Sequence, residues 1–187
     1  MPRPVVLVDV DGVLANFIEA NLRVLREMGI NRVHDDVTTW AMEDCLGLDD
    51  QQRWLMKSRW SHAGFARQIP AYPRAEAGVA ALRAIGDVYA VTAPMWSSPT
   101  WESDRREWLV LQMGFRREDV ISTHAKHIVR GDILVDDKPE HVHAWQAANP
   151  DGVGVLWDRP YNRIGVDAKC RADAWAQVVA IAERRVA

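Results

Sequence analysis

The fold class follows from an apolar run that ends in two carboxylates, Val5-Val6-Leu7-Val8-Asp9-Val10-Asp11-Gly12-Val13-Leu14. Its apolar, β-branched start is typical of a strand buried on both faces, as in a parallel sheet covered by helices. Asp9 and Asp11 follow at the carboxyl end of this strand, the edge of an open α/β sheet where ligands bind. Gly12 allows a sharp turn out of the strand. Taken alone, the acidic pair fits either a solvated polar turn or a site for a hard divalent cation, because neighbouring carboxylates repel unless a cation or a proton lies between them.

The composition bounds the class of protein. A chain of 187 residues, 48% of them hydrophobic, has room for one well-buried core with a modest insertion, and two full domains are not expected. The net charge of −3 argues against nonspecific nucleic-acid binding, which uses many Lys and Arg contacts to phosphates. Cys45 and Cys170 are too few for a disulfide framework and fit a reducing compartment. The N-terminus lacks a secretory signal pattern and no apolar run approaches the roughly 20 residues of a membrane helix, so we expect a cytoplasmic protein.

Strands alternate with helices along the rest of the chain, which predicts right-handed crossovers and a doubly wound parallel α/β sheet. The later strands are predicted at 88–92, 119–122, 133–137 and 153–157, and the helices at 14–28, 49–60, 74–85, 98–113, 139–148 and 173–184. Residues 31–72 lack strand character, and Asp49 with Gln52 three positions on predicts a capped helix there. We therefore divide the chain into an α/β core at 1–15 and 75–187 and a small helical cap at 16–74, inserted after the first strand.

Polar side chains also stand at the ends of later strands. Thr92 ends the strand at 88–92, the pair Asp136-Asp137 ends the strand at 133–137, and Lys126 lies ten residues before Asp136. A lone Thr in this position is commonly a cap, and a lone Lys is commonly a solvated loop residue. All of them in sequence, each at or beside a strand end, indicate one site at the carboxyl edge of the sheet.

In this order the features resemble the four motifs of the haloacid dehalogenase superfamily of phosphotransferases: DVDGV, Thr92, Lys126 and Asp136-Asp137. A closer resemblance, to the cytosolic and mitochondrial 5'(3')-deoxyribonucleotidases, is carried by DVDGVLANF at 9–17, VTAP at 91–94, REWL at 106–109 and GDILVDDKP at 131–139. It is faint across the insert and beyond Pro139. The resemblance implies a Rossmann-like fold of the haloacid dehalogenase type with a helical cap. It also implies Mg²⁺-dependent hydrolysis of (deoxy)ribonucleoside monophosphates to nucleoside and phosphate.

The resemblance further implies a role for each motif residue. Asp9 would be the nucleophile and form an aspartyl-phosphate, while Asp11 would protonate the leaving alkoxide and then activate water. Thr92 and Lys126 would stabilise the phosphoryl oxygens. The implied Mg²⁺ ligands are Asp9, the backbone carbonyl of Asp11 and, by spacing, Asp137, with Asp136 as its neighbour.

Further substrate contacts are expected around the motifs. Ala93 lies beside the motif Thr, and Phe17 stands where the family has an aromatic residue that packs against the base. Trp40, Trp60 and Phe65 are further candidates for contact with the base, or they belong to the apolar core of the cap. The arginine pairs at 105–106 and 116–117 are expected at solvated helix ends. Arg105 also stands where the family usually has a Lys, thirteen residues after the motif Thr, which makes it a candidate phosphate or sugar contact with altered geometry. Lys138 fits either a contact with the substrate phosphate or a solvated side chain.

Two alternative functions stay open. A haloacid dehalogenase-type phosphatase for a polynucleotide 3'-phosphate or a small sugar phosphate would use the same motifs, although the small cap and acidic balance disfavour long nucleic acids. A nucleotide-binding or regulatory protein would have kept the fold but would not catalyse the reaction. The expected partner is a small nucleotide; nucleic acid and membrane are not expected partners, and a homodimer is one open oligomeric state.

Overall fold

A parallel six-stranded sheet forms the centre of the molecule. The computed structural model describes residues 3–166 and 168–186. Its strands are β1 (Val5–Val8), β2 (Asp87–Thr92), β3 (Val120–Ser122), β4 (Ile133–Asp136), β5 (Val153–Trp157) and β6 (Arg171–Ala172). They lie in the order β3-β2-β1-β4-β5-β6, and each neighbouring pair is parallel. The predicted doubly wound α/β fold is confirmed, and the strand order reverses at the boundary between β1 and β4, where such sheets bind ligands.

Eight helices accompany the described strands. They are α1 (Phe17–Glu27), α2 (Met42–Cys45), α3 (Asp50–Trp60), α4 (Phe65–Gln68), α5 (Ala75–Ile85), α6 (Trp101–Met113), α7 (Pro139–Ala148) and α8 (Trp175–Val186). The first four lie between β1 and β2, where the sequence predicts a helical insert. The capping box of Asp49 and Gln52 is confirmed, since each side chain accepts a hydrogen bond from the backbone N–H of the other residue. Each helix in the described residues is too short or too polar to cross a membrane.

The apolar side chains form a large cluster against the sheet, a smaller one in the insert and a third, of four buried residues, against the sheet. The large cluster includes Val6, Val8 and Trp108, and the insert cluster includes Leu22 and Met56. Phe17 and Phe65 contact both of these clusters. The insert therefore buries apolar surface of its own and also packs on the core, while the cap boundaries at 16 and 74 stay a prediction.

Some predicted boundaries are wrong. The first helix begins at Phe17 instead of Leu14, because the Asn16 side chain accepts a hydrogen bond from the Glu19 N–H and caps it there. The helix predicted from Ser98 begins at Trp101. The strand predicted from Asp119 begins one residue later, after a 3₁₀ turn. Strand β6 was not predicted, because two residues carry no readable alternation and are defined by pairing with β5.

Candidate active site

The end of β1 delivers the two acidic residues of the first motif. The Asp9 N–H donates to the Val135 carbonyl of the neighbouring strand over 2.8 Å, so Asp9 still belongs to the sheet edge. The chain then turns, with the N–H groups of Leu14 and Ala15 both donating to the Val10 carbonyl. Gly12 has a φ of +86°, a conformation that costs glycine little. The turn leaves Asp9 buried, whereas Asp11 borders the cavity above the sheet edge.

Lys126 connects the ends of β1 and β4. Its side chain is 2% exposed, and its ammonium group lies 2.6 Å from an Asp9 oxygen and 2.7 Å from an Asp136 oxygen. The 3₁₀ turn Lys126–Ile128 holds it beneath these carboxylates. Burial opposes the charged form of Lys126, but the two carboxylates outweigh burial and raise its pKa. The ammonium group is therefore a permanent positive charge at the centre of the site.

The two acidic residues that end β4 have different partners. Asp136 accepts hydrogen bonds from Lys126 and from the Lys138 N–H, and His141 Nδ1 lies 3.2 Å away. The Asp137 carboxylate accepts a hydrogen bond from the Tyr161 hydroxyl through Oδ2. Its Oδ1 is buried and has no hydrogen-bond partner within the described part of the chain. Asp137 therefore retains an unused acceptor, whereas Asp136 has donors on both oxygens.

Three buried carboxylates converge on this point. Ligand atoms of Asp9, Asp136 and Asp137 lie within 4.8 Å of one another. Burial and the charge of Asp136 raise the pKa of Asp9 to about 6 against the opposing effect of Lys126. Burial and the charges of Asp9 and Asp136 raise the pKa of Asp137 well above its ordinary range. One ammonium group does not neutralise three carboxylates, so the unpaired Asp137 oxygen and this all-oxygen donor set fit a hard divalent cation such as Mg²⁺.

The second-motif residues lie at the end of β2, beside β1. Thr92 is buried, and its hydroxyl has no hydrogen-bond partner among residues 3–166 and 168–186. Ala93 follows it and lines the cavity. The structure thus brings Thr92, Asp9 and Lys126 to one edge of the sheet, with a free hydroxyl donor beside the carboxylates.

Arg105 contradicts the expectation of a solvated helix end. Its side chain is 1% exposed, and Nη2 donates to Asp11 Oδ1 over 2.6 Å. A long-range ion pair, between residues 94 positions apart in the chain, explains the burial. Asp11 experiences opposing influences: burial raises its pKa, Arg105 and Lys126 lower it, and the net shift is upward.

A cavity of about 560 Å³ lies above these residues. Asp11, Gly12, Ala93 and Asp137 border it on the core side, and its aromatic lining includes Phe17, Trp40, Trp60, Trp96 and Trp101. The Phe17 ring centroid lies 5.4 Å from that of Trp60 and 6.4 Å from that of Phe65. The cavity therefore joins an acidic floor to an aromatic wall supplied partly by the insert.

Lys138 points toward that wall. Its ammonium group lies 4.9 Å from the centroid of the Trp40 ring, close enough for a cation–π contact. Trp40 in turn packs edge-on against Tyr161, with 5.5 Å between the ring centroids. A direct contact between Lys138 and a phosphate stays a prediction.

The segment that follows β5 contributes to the site, although the sequence did not predict it. The Tyr161 hydroxyl contacts Asp137, the Asn162 amide donates to the Asp137 carbonyl over 2.7 Å, and Arg159 Nε donates to the Gly12 carbonyl. No short motif marks these residues. The only available signal was their place directly after a strand, at the same sheet edge as the other site residues.

Comparison with known proteins identifies the family. The sequence profile described as 5' nucleotidase, deoxy (pyrimidine), cytosolic type C protein matches residues 3–186. The chain belongs to this family. It is 29% identical over 170 residues to a Bordetella parapertussis protein named "Putative 5'(3')-deoxyribonucleotidase", with 87% of each chain covered. A Staphylococcus epidermidis protein of the same name is 25% identical over 164 residues, again with 87% of each chain covered.

Solved structures of low sequence identity share the fold of this chain. The "putative HAD-hydrolase YfnB" of Bacillus subtilis, bound to magnesium, superposes with a TM-score of 0.59 at 12% identity, covering 97% of this chain and 99% of that one. A haloacid dehalogenase-like hydrolase of Streptococcus pneumoniae gives 0.58 at 10% identity, covering 96% and 98%. By its family the chain is a phosphoric monoester hydrolase, and its fold is of the haloacid dehalogenase type, as the sequence resemblance implied.

Proposed function

We propose that this protein is a Mg²⁺-dependent 5'-nucleotidase that hydrolyses (deoxy)ribonucleoside monophosphates through an aspartyl-phosphate on Asp9. The observation that carries the proposal is the meeting of Asp9, Asp11, Thr92 and Lys126 under one aromatic-lined cavity. Phosphoryl transfer depends mainly on positioning and on neutralising charge, and this set provides a carboxylate, a hydroxyl and an ammonium group for that purpose.

Asp9 suits the role of nucleophile. Its Oδ1 is held by the Lys126 ammonium group and by the Val10 N–H at 2.7 Å, which fixes the carboxylate plane. The other oxygen attacks phosphorus, and the bond from phosphorus to the ester oxygen breaks. Lys126 and the free Thr92 hydroxyl bind the phosphoryl oxygens, whose negative charge they stabilise.

Asp11 suits the role of acid and then base. In the first step it gives a proton to the ester oxygen, so that the nucleoside leaves as an alcohol. In the second it takes a proton from the water that attacks the aspartyl-phosphate, which releases phosphate and regenerates Asp9. The upward shift in the pKa of Asp11 favours the protonated form that the first step requires.

Asp9, Asp137 and the backbone carbonyl of Asp11 would hold Mg²⁺. The unpartnered Oδ1 of Asp137 supports Asp137 over Asp136, whose two oxygens already accept hydrogen bonds. When bound, the ion supplies positive charge that offsets the three carboxylates and the phosphate. The Bacillus subtilis structure that shares this fold holds bound magnesium.

The cavity supports a nucleoside as the leaving group. Phe17 and Trp60 present ring surface above the acidic floor, and a planar base binds such surface by stacking without strict base selection. The names of the bacterial relatives agree with this substrate class. Two part-buried free cysteines fit a cytoplasmic location for such an enzyme.

Phosphate release from a substrate panel tests the proposal. Deoxyribonucleoside 5'- and 3'-monophosphates, ribonucleotides, sugar phosphates and a 3'-phosphorylated oligonucleotide are assayed with Mg²⁺ and with EDTA. We expect release from mononucleotides with Mg²⁺, its loss in Asp9→Asn and its retention in Asp151→Asn, a matched change in an exposed turn. Full activity of Asp9→Asn would contradict the mechanism, and preference for the sugar phosphate or the oligonucleotide would contradict the substrate.

A further inference from the structure

Arg105 is buried beside Asp11 with an incomplete set of hydrogen bonds. Only Nη2 has a partner, Oδ1 of Asp11; Nε and Nη1 are buried with none in the described structure. A buried guanidinium that leaves N–H groups unpaired retains a desolvation penalty, so the arrangement is a poor way to stabilise a fold. This incomplete bonding points to a role in the site that Asp11 serves.

Helix α6 fixes the direction of the Arg105 side chain. Trp101 and Trp108, four residues before and three residues after it, lie on the same face of the helix. The guanidinium carbon lies 5.1 Å from the Trp101 ring centroid and 5.6 Å from that of Trp108. Two cation–π contacts leave the long side chain little freedom, and its charged end is held against Asp11.

The contact with Asp11 uses one oxygen. Arginine commonly binds a carboxylate with two parallel hydrogen bonds, which would occupy both oxygens. Here Nη2 holds Oδ1, while the Asp11 side chain is 28% exposed and borders the cavity. The single contact fixes the rotation of the carboxyl group and leaves Oδ2 for a group bound in the cavity.

We infer that Arg105 is a positioning residue that orients Oδ2 of Asp11 toward the ester oxygen of the substrate. The inference rests on the proposed function, because it requires a leaving group that Asp11 protonates. As the ester bond breaks, its electron pair stays on the nucleoside oxygen, and the Asp11 proton moves to that oxygen. Asp11 becomes a carboxylate whose new charge the fixed guanidinium stabilises.

Variants at Arg105 test this with two substrates that differ in leaving group. A deoxyribonucleotide needs protonation of its leaving oxygen, whereas p-nitrophenyl phosphate releases a stable phenolate. We expect Arg105→Met to lower kcat on the nucleotide by about 10²-fold while KM changes by less than about threefold. The first-turnover burst of p-nitrophenolate stays within about threefold of wild type, since that step does not need the acid.

Three further variants control for disruption of α6. Arg105→Lys keeps a cationic donor and recovers at least about tenfold of the lost kcat. Arg105→Gln, polar but uncharged, behaves like Arg105→Met. Arg106→Met, on the same helix, removes hydrogen bonds to the carbonyls of Arg117 and Val120 and keeps wild-type kcat.

The refuting results are distinct from those that refute the proposed function. Three results would each overturn the positioning role. Arg105→Met could lose rate equally on both substrates, it could keep wild-type kcat, or Arg105→Lys could be no more active than Arg105→Met. A wild-type protein that releases no phosphate from any nucleotide would overturn the proposed function, and the inference would fall with it.

Discussion

Replacing Gly12 by alanine perturbs the turn between the first motif and the cation site. The residue has a φ of +86°, and a Cβ added there would lie 2.5 Å from the Asp137 Cγ, closer still to Oδ2, and 2.7 Å from the Tyr161 hydroxyl oxygen. Real Cβ atoms do not approach other atoms this closely. The Asp137 carboxylate or the turn must therefore move.

Two costs add in this variant. Placing alanine in a left-handed conformation costs about 1–2 kcal/mol. Forcing a methyl group into a packed site typically costs about 1–3 kcal/mol more. We expect Gly12→Ala to lower the free energy of unfolding by roughly 2–5 kcal/mol. Because the group displaced is a proposed metal ligand, affinity for Mg²⁺ should fall by about 10-fold or more.

Gly29→Ala is the matched control. Gly29 has a φ of +76°, but no atom lies within 4 Å of the position that its Cβ would take. It incurs the conformational cost without the overlap. Urea unfolding gives the stability of each variant, and calorimetric titration with Mg²⁺ gives the affinity. A Gly12→Ala protein as stable as Gly29→Ala, with wild-type Mg²⁺ affinity, would refute the reasoning.

Three further predictions concern buried or part-buried charges. Lys126→Met should lower the free energy of unfolding by about 3–5 kcal/mol in EDTA, because two buried carboxylates lose their cation. Added Mg²⁺ should restore part of the lost stability. Unchanged midpoints of urea unfolding would contradict this prediction. Asp104→Ala should cost about 1–3 kcal/mol by urea unfolding and speed hydrogen exchange at the Gly64 N–H, which donates to Asp104 over 2.7 Å. Burial raises the pKa of Asp158, but two arginines outweigh burial and hold it below its ordinary range. The ionised Asp158 therefore stabilises the fold fully above about pH 4, and this stabilisation is lost as pH falls through the lower, folded-state pKa. The difference in the free energy of unfolding between wild type and Asp158→Asn should shrink below about pH 4. A difference that does not depend on pH would contradict this.

Strands β1 to β5 were predictable because their signals are local. The composition of an apolar run such as Val5–Val8 predicts that the strand is buried. Polar residues at the carboxyl ends of the strands indicate the edge of the sheet where the site lies. Parallel pairing then brings Asp9, Thr92 and Asp136 together without further information. Strand β6 was not predictable in this way, because two residues form a strand only through the neighbour that they pair with.

Arg105 shows where a local pattern was misinterpreted. A pair of arginines near a helix start suggests solvent, but Trp101, Trp108 and Leu109 occupy the same face of α6 as Arg105 and are buried. That spacing marks position 105 as interior. A buried position occupied by arginine requires a partner, which the sequence could not identify because Asp11 is 94 residues away.

The segment after β5 extends the site in a direction that no motif suggests. Arg171, in the two-residue strand β6, donates to both the side-chain and backbone oxygens of Asn162. The Asn162 amide donates to the Asp137 carbonyl at 2.7 Å and to the Trp157 carbonyl at 2.9 Å. The edge strand thus supports the proposed metal ligand through one buried asparagine. Since each link joins residues that are separate in sequence, orientation of Asp137 is a property of the assembled sheet edge and not of the acidic motif that contains it.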